Sequence, residues 1–202
     1  MSKKVLLTGF RPFQGEAINP SELLLTAVSK EMGNSDFIHT LTLPVSFRRS
    51  WEILKSELEK NYDVIFLLGQ AGGRNRIGLE RVALNWWEGP ADELGESLPT
   101  GSIEPGASPA YFTSLPLTEW KGLLSQQRIP VEISLSAGGF VCNYLYFQAL
   151  KRVAEQKIRT QVCFVHVPYI PTQVVTKPAG TPWMDFEQMT KGVLALIEAS
   201  QK

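Results

Sequence analysis

Two cysteines and two histidines are the side chains here best suited to nucleophilic chemistry. Cys142 stands in Ser136-Ala137-Gly138-Gly139-Phe140-Val141-Cys142-Asn143, a Gly-Gly turn that opens onto a predicted helix. A helix N-terminus favours negative charge. It can lower a thiol's pKa, and its free N–H groups can hold a developing oxyanion. His166 ends an apolar run, 24 residues later. That spacing fits one helix, a turn and a strand, which returns the imidazole to the same sheet edge. A thiol nucleophile needs such a base to take and return a proton. The plainer alternatives are a small buried core cysteine and a hydrogen-bonded core histidine.

The other pair reads differently. Cys163 lies inside Val162-Cys163-Phe164-Val165 and is expected to be a buried, inert thiol. His39 lies mid-strand in Phe37-Ile38-His39-Thr40-Leu41 and is expected to be structural or on the surface. A third group could orient the imidazole. Glu80, Asp92, Glu93 and Glu96 are candidates, and residue type alone does not choose among them.

The elements that must position these groups alternate. Residues 5–8, 64–68 and 161–167 are continuously apolar, as strands covered on both faces of a parallel sheet are. Residues 37–43 alternate like a half-buried or edge strand. Short strands are expected at 81–86 and 131–135. Helices are expected at about 20–32, 47–60, 117–127, 141–155 and 184–200. The first of these has Asn19 as N-cap, Pro20 at the first position and Gly33 as stop. Residues 88–109 read as one long loop. The pattern predicts a single α/β domain over 1–202, a three-layer αβα sandwich with a mainly parallel sheet. Ligands of such sheets bind beyond the carboxyl ends of the strands. Phe10, Phe13, the Gly69–Gly73 turn, Cys142 and His166 all fall there.

Composition removes several classes of function. Lys plus Arg and Asp plus Glu are both 20, so there is no basic excess for nucleic acid. Two cysteines rule out a disulfide-rich scaffold. The Gly69–Gly73 turn lacks the dinucleotide and Walker fingerprints. No apolar run approaches a membrane span or a signal-peptide core, so a cytoplasmic protein with reduced thiols is expected.

Four blocks in order resemble the pyrrolidone-carboxylate peptidases, the pyroglutamyl peptidase I family. They are Thr8-Gly9-Phe10-x-Pro12-Phe13 with Asn19-Pro20-Ser21; Gly69-Gln70-Ala71-Gly72-Gly73-Arg74 with Glu80-Arg81-Val82-Ala83-Leu84-Asn85; the Cys142 block; and Phe164-Val165-His166-Val167-Pro168-Tyr169. The resemblance covers nearly the whole chain. It implies a cysteine exopeptidase that removes an N-terminal pyroglutamyl residue. It assigns Cys142 as nucleophile, His166 as general acid/base and Glu80 as the residue that orients His166. It places Phe10, Phe13 and Gln70 at a lactam pocket, calls for no cofactor, and implies a homo-oligomer, a dimer or tetramer.

One segment departs from the family. Where it usually runs Asp-Asp-Ala-Arg-Ile-Pro-Asp-Asn, this chain has Trp86-Trp87-Glu88-Gly89-Pro90-Ala91-Asp92-Glu93. The arginine that the resemblance puts near the cysteine is replaced by Pro90 or a neighbour. Arg74 or Arg81 could take its place. The alternative is a weak or inactive relative that binds pyroglutamyl groups on the same scaffold.

Overall fold

The computed structural model describes residues 2–33 and 35–202. Its elements are β1 (Val5–Phe10), α1 (Pro20–Met32), β2 (Ile38–Leu43), α2 (Phe47–Leu58), β3 (Val64–Gln70), β4 (Ile77–Glu80), β5 (Val82–Leu84), β6 (Ala110–Phe112), α3 (Leu117–Gln126), β7 (Val131–Ser134), α4 (Val141–Gln156), β8 (Gln161–Val167), α5 (Pro171–Val174) and α6 (Phe186–Ser200). Local chemistry sets the boundaries. The Asn19 side chain accepts from the Ser21 N–H at 3.0 Å at the start of α1, and Gly33 ends that helix at φ 57°.

Six strands form one sheet in the order β2-β1-β3-β8-β4-β7. β2, β1, β3 and β8 are parallel neighbours. β4 runs antiparallel to β8, and β7 runs parallel to β4. The alternation of side chains along each strand divides the core in two. Leu6, Ile65, Leu67, Val162 and Phe164 pack against α2 and α4. Leu7, Phe66, Cys163, Val165 and Val167 pack on the other side, with α1, α3 and α6. This is the expected three-layer α/β arrangement with a mostly parallel sheet.

One expectation needed correction. The strand expected at 81–86 is the shorter β5, and β4, just before it, is a further strand that the sequence reading did not expect. β4 ends at Glu80, whereas β5 leaves to pair with β6 in a separate ribbon. With Gly78 at its second position, the short β4 carries too little apolar pattern to stand out in sequence. The long segment 88–109 is tied down by its polar residues. Asp92 accepts from the N–H groups of Phe47, Leu94 and Glu96 at 2.9 Å each, and Glu93 accepts from Val45 N at 3.0 Å. Asn85 and Glu104 exchange two hydrogen bonds at 2.8 and 2.9 Å. Trp87 is buried edge-on against Phe47, whereas Trp86 and Trp183 are exposed.

Candidate active site

The site is built around His166, next to last in β8. Its register partners are Gly69 on β3 and Gly78 on β4. Both neighbours lack side chains on the face that His166 shares, so each leaves a space beside the imidazole. Different chemistry fills each space.

On the β3 side, a Cβ built on Gly69 would lie 3.1 Å from Cys142 Sγ and 2.7 Å from the Phe164 ring. The thiol therefore lies over Gly69, beside His166. It is carried by the first turn of α4. That helix has Phe140 as N-cap, with no capping side chain, so its first N–H groups have no intrahelical partner. Asn143, in the same turn, binds the backbone of Leu84 and Trp86 at 2.7–2.9 Å and anchors the helix start to the β5 segment.

On the β4 side, Glu80 Oε1 is 2.7 Å from His166 Nδ1. A carboxylate facing Nδ1 calls for the proton on that nitrogen, which leaves Nε2 free to accept one. Glu80 is fully buried, and its backbone carbonyl accepts from the Tyr146 hydroxyl at 2.9 Å. The same Oε1 accepts from Arg74 Nη1 at 2.9 Å. A Cβ on Gly78 would lie 2.2 Å from that nitrogen, so the guanidinium occupies the space the glycine leaves. Glu80 Oε2 has no partner among the described residues.

The Cys142 thiol is pushed up to about 12, chiefly by burial and then by the Glu80 charge, with Arg74 opposing. The lowering expected from the helix N-terminus is thus outweighed. A thiol held in its neutral form calls for a base that takes the proton as the bond to sulfur forms.

Beside the thiol is a cavity of about 260 Å³ lined by Phe10, Phe13, Ile18, Val45, Gln70, Phe140, Val141 and Tyr169, among others. Phe13 stacks on Phe140 with ring centroids 5.7 Å apart and planes at 22°. Gln70 Oε1 accepts from Gln173 Nε2 at 2.8 Å, and Gln173 Oε1 accepts from Ile170 N at 3.1 Å.

All six residues singled out for the site thus gather at one edge of the sheet. The rival carboxylates are elsewhere. Asp92 and Glu93 hold the segment before α2, and Glu96 pairs with Arg48 at 2.6 Å. Burial works against the Asp92 charge, but the N–H groups of Glu96, Phe47 and Leu94 hold its carboxyl below the ordinary value. His39 is exposed against the Tyr62 ring, and Cys163 is buried on the opposite sheet face. Arg81 donates to Thr113 O at 2.7 Å and is not at the site. Arg74 is, but on Glu80. At the departing segment, Glu88 N donates to Gly139 O at 2.7 Å, so 88–90 runs along the turn before α4, and Pro90 is exposed. Sequence reasoning missed Gly78, Tyr169 and Gln173. Only the pairing of Gly78 with His166 across β4 and β8 could have flagged the first.

A model of the pyroglutamyl peptidase family matches residues 3–202. The pyrrolidone-carboxylate peptidase 1 of Caldanaerobacter subterraneus is 35% identical over 201 residues, covering 98% of each chain. That of Staphylococcus aureus is 38% identical over 197 residues, covering 96% of this chain and 92% of its own. Among solved structures, the pyrrolidone carboxyl peptidase of Fervidobacterium islandicum superposes with a TM-score of 0.91 at 37% identity, covering 97% of both chains. The pyroglutamyl peptidase I of Bacillus amyloliquefaciens gives 0.90 at 33%, covering all of this chain and 95% of its own.

Proposed function

Because this chain belongs to the pyroglutamyl peptidase family, we propose that it hydrolyses the bond after an N-terminal pyroglutamyl residue, with Cys142 as nucleophile, His166 as general base and acid, and Glu80 as the group that orients His166. The observation that carries this reading is the 2.7 Å contact of Glu80 with His166, with the Cys142 thiol over Gly69, the β3 register partner of His166.

The pocket chemistry suits the substrate. A pyroglutamyl residue has no α-ammonium, so it offers nothing to the carboxylate grip of an ordinary aminopeptidase. Its neutral ring fits aromatic walls such as Phe10 and Phe13, with an amide such as Gln70 for its polar edge. In the reaction, His166 Nε2 takes the Cys142 proton as sulfur attacks the pyroglutamyl carbonyl carbon. The negative charge moves to the carbonyl oxygen, near the free N–H groups of the first α4 turn. The C–N bond breaks and His166 returns the proton to the leaving amine. Water then attacks the thioester, giving its proton to His166. Pyroglutamate leaves, and the proton returns to sulfur.

No helix of the described residues is long and apolar enough to cross a membrane. We place the enzyme in the cytoplasm, where a catalytic thiol stays reduced. We also propose a homo-oligomer, because exposed Trp86, Trp183, Leu135 and Val175 are surface that a second copy would cover.

Release of a fluorogenic amine from a pyroglutamyl amide tests the function. Wild type is expected to turn over and Cys142→Ser is not. Binding of pyroglutamate without turnover by wild type would overturn the reading in favour of a binding protein.

A further inference from the structure

The space beside Gly78 holds a group that the proposed reaction has not used. Glu80 is buried and its Oε2 has no partner among the described residues. Its side-chain hydrogen bonds, to His166 and Arg74, both fall on Oε1. A buried carboxylate remains charged only when paired. His166 supplies a positive charge only transiently, because its Nε2 gains and loses a proton in each half-reaction. Arg74 keeps its charge throughout.

The guanidinium is also held from a second direction. Its Nη2 reaches Ser134 Oγ at 3.4 Å and Ser136 O at 3.3 Å. Ser134 ends β7, and Ser136 begins the turn that leads to α4 and Cys142. One planar fork thus spans the carboxylate and that turn, a geometry an ammonium cannot reproduce. Arg74 does not line the Phe10–Phe13 cavity.

We propose that Arg74 is a positioning residue of this reaction: from the space left by Gly78 it pairs with Glu80 Oε1 and keeps that oxygen aimed at His166 Nδ1. This rests on the function proposed above. The cationic side chain of the site therefore acts behind the histidine, on the carboxylate.

The test starts from steady-state kinetics on a pyroglutamyl amide, with thermal melting to confirm folding. Arg74→Gln is expected to lower kcat about 10–100-fold, the scale of loss seen when the outer partners of metal ligands are removed. KM should stay within about twofold, because the pocket is untouched. Arg74→Lys should fall between the two, and methylguanidinium should restore part of the kcat of Arg74→Ala. Gly78→Ala drives a methyl into Nη1 and should cost a similar factor. The double variant should be no worse than Arg74→Gln alone, since both break one contact.

A substrate-free readout separates this idea from the proposed function. The His166 Nδ1 proton, bonded to a carboxylate, should give a far-downfield proton resonance in wild type that broadens or disappears in Arg74→Gln. If wild type fails to cleave pyroglutamyl amides, the function falls and the resonance still tests Arg74. A folded Arg74→Gln protein with wild-type kcat and an unchanged resonance would overturn the proposal. So would a loss confined to KM, or fully additive losses in the double variant.

Discussion

The two sides of His166 solve the same steric problem with opposite chemistry. Each neighbouring strand places a glycine across from the imidazole. Over Gly69 the space admits a neutral thiol, beside an aromatic pocket. Over Gly78 it admits a guanidinium that is bonded to a carboxylate. The β3 side is where bonds would change, and the β4 side is where charge stays fixed. A histidine between them can exchange protons on one side because the other does not move. The sheet reflects this division, since its direction reverses between β8 and β4.

Substitutions can break this comparison in graded steps. Cys142→Ser removes the proposed nucleophile and should lower kcat by on the order of 10⁴ or more, as loss of a nucleophile does elsewhere. Glu80→Gln acts on the other side. It keeps the shape but lets the amide favour the wrong tautomer, and kcat should fall ~10²–10⁴-fold. If Glu80→Gln retained full turnover at every pH, the β4 side would have no part in the chemistry. Gly69→Ala leaves every reacting group present and moves them apart, since the new methyl meets both Cys142 Sγ and the Phe164 ring. About a 10–100-fold loss in kcat is expected from misplacement alone.

Smaller effects sharpen the contrast. Phe13→Ala removes one member of the Phe13–Phe140 stack at the pocket wall. Aromatic pairs contribute about 0.5–1.5 kcal/mol, so KM should rise several-fold while kcat changes little. Asp92→Asn touches neither side of His166 and should leave kinetics unaltered. It weakens three backbone hydrogen bonds, and urea denaturation should show about 1 kcal/mol less stability at pH 7. The folded carboxyl lies below its ordinary value. The wild-type advantage is therefore full above about pH 4, the unfolded value, and is lost as pH falls through the folded one.

Much of this was legible in sequence because it rests on local pattern. The apolar runs of β1, β3 and β8, and the Asn19-Pro20 helix start, follow from propensity and capping alone. Cys142 and His166 could be paired because one helix and one strand separate them. What stayed hidden depends on pairings remote in the chain. Residue type could not choose Glu80 over Asp92, since only the alignment of β4 against β8 brings one of them to His166. Resemblance supplied that choice. The meaning of Gly78 and the partner of Arg74 depend on the same alignment, and neither has a local signature. The segment 88–109 read only as a long loop because its order comes from single side-chain bonds, such as those of Asp92 and Asn85, and from one bridge between Trp87 and Gly101.

The place of β8 in the sheet also bears on how the molecule forms. It is the last of the six sheet strands in sequence, yet it lies between β3 and β4. Until it inserts, both of those strands present open edges, the arrangement that invites intermolecular pairing. The Glu80–His166 contact spans 86 residues, a closure of the slow, non-local kind. Closing the sheet and bringing Glu80 to His166 are then the same step, so a chain still lacking β8 has two unpaired strand edges and no Glu80–His166 contact.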